Sequence, residues 1–63
     1  MYIAKLFSTE LTPECIISIN AKNILDAKRY AISIASEFDI PGYDAIHTIL
    51  LYVNETKIDT ITL

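Results

Sequence analysis

The residue types that most often carry chemistry are scarce in this 63-residue chain. There is one cysteine, Cys15, and one histidine, His47, and each stands in an isoleucine-rich run typical of a strand. A cysteine acts as a nucleophile only when a base lies nearby, and His47 is the single candidate for that base. We interpret Cys15 as a small apolar core residue, and His47 as a residue near the surface at a strand end.

Three acidic residues, Glu37, Asp39 and Asp44, stand close together in the sequence. Paired carboxylates can serve as general acid and base, but solvated acids at a helix exit explain this group more simply. No glycine-rich phosphate loop, nucleophile elbow or metal-ligand spacing occurs in the chain. The sequence therefore predicts a protein that is not an enzyme and that uses no cofactor and no metal.

The composition predicts one folded domain over residues 1–63 with a small core, because 52% of the residues are hydrophobic and 21% are charged. A single cysteine excludes an intrachain disulfide, so association with another chain is the remaining aid to stability. The net charge of −3 argues against direct nucleic-acid binding, which usually requires a basic face. We find no signal peptide in residues 1–7 and no apolar run approaching the roughly 18 residues of a membrane span, so we expect a cytoplasmic protein without a membrane partner.

The order of hydrophobic patterns predicts four strands and one helix. The strands are expected at residues 2–7, 14–20, 45–54 and 57–63, and the helix within residues 21–38, with Asn23 as its N-cap. The predicted fold class is α+β with a ββαββ order: a four-stranded antiparallel sheet with one helix packed on one face. We favour the strand order 2-1-3-4, which makes every pair antiparallel. The order 1-2-3-4, with a parallel central pair, is left open.

The helix has one apolar stripe that should face the sheet. It comprises Ala27, Ala31, Ile34, Ala35 and Phe38, with Ile24 on the same side. The opposite side is polar: Asp26, Arg29, Ser33 and Glu37. Leu25 and Ile32 lie about 100° or more around the helix from the stripe. We expect these two to pack under the first hairpin loop, the alternatives being that they extend over a sheet edge or form a second apolar spot beside Lys28 and Ser36.

Strand alternation divides the remaining side chains between the two faces of the sheet. The core-facing set is predicted to hold Cys15, Ile17, Ile19, His47, Ile49, Leu51 and Val53. The first strand is ambiguous between its two sets, and Lys5 favours Tyr2, Ala4 and Leu6 as the core-facing one. The face that the helix does not cover is predicted to hold Ile3, Phe7, Ile16, Ile46, Leu50 and Tyr52, mixed with Lys5, Ser18 and Thr48. This is a large apolar area for a solvated face, so we expect another molecule to cover it.

Seven residues are the predicted partner contacts: Tyr52, Leu50, Ile16, Lys28, Arg29, Ile32 and Tyr43. Tyrosine is favoured at interfaces, and Tyr52 is the first anchor because it projects from the uncovered sheet face. Tyr43, in the loop after the helix, is the second anchor. Lys28 and Arg29 form a small basic pair on the helix.

One segment resembles a known class of proteins. The string Ile19-x-Ala21 followed by Ala27-Lys28-Arg29-x-Ala31, between two β-hairpins, is similar to small phage-encoded inhibitors. These include anti-CRISPR proteins directed against type I surveillance complexes and phage antitoxins that neutralise a host RNase toxin. The resemblance implies a tiny cytoplasmic protein that occupies a surface on a host protein or ribonucleoprotein complex. The alternative is a homodimeric accessory or antitoxin protein that self-associates through the uncovered sheet face.

Overall fold

The computed structural model describes residues 1–8, 13–37 and 45–63. It contains the elements β1 (Tyr2–Phe7), β2 (Cys15–Ile19), α1 (Ile24–Glu37), β3 (Thr48–Val53) and β4 (Thr56–Thr62). The strands form one antiparallel sheet in the order β2-β1-β3-β4. The predicted ββαββ, α+β fold and the preferred strand order are therefore confirmed. The predictions for Phe38, Asp39, Tyr43 and Asp44 lie outside the described residues.

The helix begins where its capping residue predicts. The side-chain Oδ1 of Asn23 accepts a hydrogen bond of 2.9 Å from the backbone N–H of Asp26. The backbone carbonyl of Asn23 accepts the first helical hydrogen bond, 3.1 Å from the N–H of Ala27. Asn23 is thus the N-cap, and Asp26 places an acid in the first turn, where the helix dipole favours it.

The core is thin because small side chains line the helix side of it. The buried hydrophobic residues are Ala4, Leu6, Ile19, Ala27, Ala31, Ala35, Ile46, Ile49 and Leu51. Three of them are the helix alanines, which let α1 lie close to β1, β2 and β3. Leu6, Ile49 and Leu51 are the largest side chains that are fully buried. The predicted inward sets of β1, β2 and β3 are confirmed at these positions.

The start of the third strand departs from the predicted alternation. Ile46, predicted on the uncovered face, is buried, with 6% of its surface exposed. His47 is exposed, so its assignment to the core-facing set is wrong, whereas its interpretation as a residue near the surface at a strand end is confirmed. The cause is that β3 begins only at Thr48, so strand alternation does not extend back to these two residues. His47 instead links two strands through its backbone, donating to the carbonyl of Phe7 and accepting from the N–H of Leu63, each at 2.8 Å.

Three apolar helix residues are more exposed than the sequence predicts. Ile24, placed on the core side, is 41% exposed. Leu25 is 54% exposed and Ile32 is 37% exposed, whereas both were expected to be covered by the first hairpin loop. Residues 9–12 of that loop are not among the described residues. Within the described part of the chain, Leu25 and Ile32 form an apolar flank on the side of α1 that carries Lys28.

The hairpin between β3 and β4 is tight and irregular. Its two turn residues, Asn54 and Glu55, have φ angles of 49° and 68°. Positive φ at both central residues is the type I′ pattern that suits the twist of a two-residue hairpin. The pairing of β3 with β4 also shifts register between Leu51 and Tyr52, so β4 carries one extra residue there.

Candidate protein-binding surface

The side of the sheet away from the helix carries a contiguous group of apolar side chains. In the strand register Lys5 lies between Ile16 and Leu50, and Ile3 lies between Ser18 and Tyr52. We define the open face as Ile3, Lys5, Phe7, Ile16, Leu50 and Tyr52. Ile16 is 58% exposed, and the other five are partly exposed. Five of these six side chains are apolar or aromatic, and the register places the polar residues Ser18, Thr48, Thr60 and Lys57 on the same side of the sheet.

One cation is held against the aromatic anchor of the open face. The Lys5 ammonium lies 4.6 Å from the centroid of the Tyr52 ring. A cation over a ring at this distance is worth about 0.5–1 kcal/mol at an exposed site. Ile3, Lys5, Tyr52 and Glu55 line a shallow depression of ≈ 200 Å³ beside this pair. The open face therefore has a depression and a positively charged side chain in addition to its apolar side chains.

The irregular β3–β4 pairing exposes an apolar side chain that the sequence did not reveal. Lys57 pairs with Tyr52, while Thr56 pairs with Val53 and Asp59 with Leu51. Ile58 is therefore the extra residue of the bulge, and it is 39% exposed. Strand alternation alone cannot locate it, because the bulge resets the alternation in β4.

The seven predicted contact residues do not form one surface. Tyr52, Leu50 and Ile16 lie together on the open face. Lys28, Arg29 and Ile32 lie on the helix, on the opposite side of the sheet. Tyr43 lies outside the described residues. A partner that covers the open face therefore cannot contact the helix residues without wrapping around the edge of the sheet.

Lys28 has a structural partner that sequence reasoning missed. Its ammonium lies 2.7 Å from Oδ2 of Asp59 on β4. The other oxygen of that carboxylate, Oδ1, accepts a hydrogen bond of 2.8 Å from the backbone N–H of Thr60. The hydrogen bond from Lys28, and then that from the Thr60 amide, hold the pKa of Asp59 below its ordinary value. The two ionised side chains stand 31 positions apart in the sequence, so no local pattern could have paired them.

The candidate thiol and imidazole are not brought together. Cys15 is half-buried on β2 and packs against the core, while His47 precedes β3. Since β1 lies between β2 and β3, about two strand spacings, roughly 10 Å, separate them. Among the residues that the structure describes, no three His, Cys, Asp or Glu side chains are grouped so that they could hold a metal ion. Within residues 1–8, 13–37 and 45–63, no helix is long and apolar enough to cross a membrane.

Comparison of the chain with protein families, with curated proteins and with solved structures found no match. The candidate surface is therefore defined by its geometry alone.

Proposed function

We propose that this chain is a non-enzymatic protein-binding module that uses the open face as its contact surface. The observation that carries the proposal is the uncovered apolar side of the sheet, centred on Leu50 and Tyr52. An antiparallel sheet with one solvated side usually alternates apolar and polar residues cleanly. Monomers rarely expose contiguous apolar patches above a few hundred Å², and larger ones mark interaction sites.

The proposed partner is a host protein or ribonucleoprotein complex that handles nucleic acid in defence. The chain would act there as phage-encoded inhibitors act, by sterically blocking a surface in the host cytoplasm. Its resemblance to these inhibitors supports this class of target. The net charge of −3 supports contact with a protein surface rather than with nucleic acid itself.

A capture experiment tests the proposal. The tagged chain is incubated with lysate of bacteria that express a CRISPR surveillance complex and other nucleic-acid-handling defence proteins, and bound components are identified by mass spectrometry. We expect a defence component to be retained by the wild-type chain. Recovery of no defence or nuclease component would contradict the proposal.

A matched pair of variants controls for non-specific adhesion. Tyr52 lies on the open face and Tyr30 is 53% exposed on the helix. We expect Tyr52→Ala to lower capture at least about tenfold, as for an interface anchor, while Tyr30→Ala retains it. Equal loss in both variants would show that the retained proteins do not bind through the open face.

The same surface supports a second candidate, a homodimeric accessory or antitoxin protein in which two open faces stack. The observation that favours it is Ile16, 58% exposed beside Lys5 and Leu50, because such a patch is present on every copy of the chain. Light scattering separates the two candidates. A monomer leaves the open face free for a foreign partner, whereas a tight dimer that Leu50→Glu dissociates would establish the second candidate.

A further inference from the structure

We infer that the free edge of β2 is a second binding site, which takes an extended partner segment with alternating basic and apolar side chains as an additional strand. This site is distinct from the open face: it uses backbone groups at the rim of the sheet. The inference therefore goes beyond the function proposed above, and an experiment can refute either one without refuting the other.

The backbone groups that β2 offers follow from one hydrogen bond. The N–H of Glu14 donates to the carbonyl of Leu6 at 2.7 Å, so that carbonyl points from β1 toward β2. Backbone groups alternate in direction along a strand, so Ala4 points the same way, and Ile17 pairs with Ala4. The N–H and C=O groups of Ile16 and Ser18 must then point away from β1. Both residues are exposed, and β2 is an edge strand of the sheet.

On the opposite edge, β4, one outward amide near the centre of the strand is already occupied. The N–H of Leu63 donates toward β3, at His47, so alternation turns the N–H of Thr60 outward, away from β3. That N–H is already bonded to the Asp59 carboxylate, which Lys28 holds from the helix. A side chain that occupies an outward amide and places a charge at the edge is a known protection against strand pairing. Among the described residues, no side chain makes a hydrogen bond to the outward backbone groups of Ile16 or Ser18, so within this part of the chain β2 is the edge without such protection.

The charges beside β2 select the occupant. Asp26 and Tyr30 of α1 line a depression of ≈ 540 Å³ with Ser18 and Ile19 of β2, so this flank of the helix overlooks the edge. Glu37 lies three helical turns beyond Asp26 on the same flank. Lys22 is the one cation that lines the depression. Asp26 and Lys22 balance each other at the depression, and Glu37 farther along the helix gives this flank a net charge of −1, which favours basic side chains on the helix side of an added strand.

The same charges argue against a second copy of the chain at this edge. An antiparallel pair of β2 strands related by a twofold axis would bring the Asp26 and Glu37 flanks of both copies to the same side of the joined sheet. Like charges would then face each other across the interface. On the other side of the added strand, its apolar side chains would lie next to Ile16, which is 58% exposed.

The test uses a short synthetic peptide in which lysine alternates with valine, and a control peptide in which glutamate replaces every lysine. Nuclear magnetic resonance follows the backbone amides of the wild-type chain during titration. We expect the lysine peptide to shift and protect the Ile16 and Ser18 amides at peptide concentrations of about 1 mM or below. We expect the glutamate peptide to bind at least about tenfold more weakly. No response at Ile16 and Ser18, or equal binding of both peptides, would overturn the inference.

Proline variants at the two edges provide the matched control. Ser18→Pro removes an outward N–H of β2, and Thr62→Pro removes an outward N–H of β4. Neither change removes a hydrogen bond of the sheet, so both edges should tolerate proline. Ser18→Pro should weaken the lysine peptide at least about tenfold and Thr62→Pro less than about twofold. Weaker peptide binding by Thr62→Pro than by Ser18→Pro would contradict the site. If either variant fails to fold, the titration of the wild-type chain with the two peptides tests the inference by itself.

A variant of the open face tests the edge site separately from the proposed function. A Leu50→Glu variant should still bind the lysine peptide through β2, because Leu50 lies on β3 and its side chain belongs to the open face. If Leu50→Glu abolished peptide binding while the fold persisted, the peptide would be bound by the open face, and the edge assignment would be wrong.

Discussion

Asp59 is the residue whose chemistry the structure defines most sharply. Its carboxylate joins the helix to β4 through Lys28 and occupies the outward amide of Thr60. Both hydrogen bonds favour the ionised form, and this is why its pKa is lowered. Because the folded-state pKa lies below the unfolded value, Asp59 stabilises the fold above the unfolded pKa of about 4 and loses that contribution as the pH falls through the folded pKa.

We therefore predict that Asp59→Asn lowers the free energy of unfolding at neutral pH and that the difference from wild type shrinks in acid, below about pH 4. Chemical denaturation across a pH series measures both quantities. In a Lys28→Met background the effect of Asp59→Asn should be smaller, since the first cause of the lowered pKa is gone. A difference that grew as the pH fell would contradict this account.

At the scale of one element, the helix is fitted to the sheet by its small residues. Ala31 is fully buried against the sheet, between Ala27 and Ala35. We predict that Ala31→Leu lowers the free energy of unfolding by about 1–3 kcal/mol, because the larger side chain must push α1 away from the strands. Thermal and denaturant unfolding measure the loss.

The matched control for that change is Ser33→Leu, the same new side chain at an exposed helix position. It should change stability by less than about 0.5 kcal/mol. If Ala31→Leu proved as harmless as Ser33→Leu, the close approach of helix and sheet would be refuted.

The turn between β3 and β4 holds a side chain in an unfavourable backbone region. Glu55 has a φ of 68°, where a residue with a Cβ is disfavoured and glycine is not. We predict that Glu55→Gly raises the free energy of unfolding by about 0.5–1 kcal/mol, since Asn-Gly is the preferred type I′ pair. Denaturant titration measures the gain, and Asn54→Ala should have the opposite effect. A loss of stability in Glu55→Gly would contradict the turn assignment.

The elements were predictable because each has a local signal. Asn23 marks the start of α1, and the alternation in β1 and β2 places Ala4, Leu6 and Ile19 in the core. The strand order followed from the directions of the strands. What could not be predicted depends on contacts distant in sequence. Ile46 is buried because β3 begins only at Thr48, after the predicted start of the strand. Lys28 is paired because the sheet places Asp59 of β4 next to the helix.

The candidate site was predictable in part for the same reason. The alternation of β2 and β3 correctly groups Ile16, Leu50 and Tyr52 on one face. Adding Lys28, Arg29 and Ile32 to that group combined residues from opposite sides of the sheet, because a list of exposed residues carries no information about sides. The exposure of Ile58 was missed because the bulge in β4 has no sequence signal of its own.

At the scale of the whole molecule, the described residues form one helix and four strands, and among them the sheet keeps two kinds of uncovered surface. The open face offers apolar area, and the β2 edge offers backbone hydrogen bonds beside an acidic helix flank. The Asp59 carboxylate occupies the outward Thr60 amide on the β4 edge. The proposed partner complex and the proposed extended segment therefore occupy separate parts of the molecule.

The most direct test of the open face as the binding surface compares two variants with the same chemical change. Leu50→Glu places a carboxylate on the open face, where Lys5 lies opposite and can pair with it, so the fold should persist. Ile32→Glu makes the equivalent change at a position that is 37% exposed on the helix. The dissociation constant between each variant and the captured host complex is measured by biolayer interferometry. We predict that Leu50→Glu weakens binding at least about tenfold while Ile32→Glu stays within about twofold of wild type. Wild-type affinity in a folded Leu50→Glu variant would contradict the central claim.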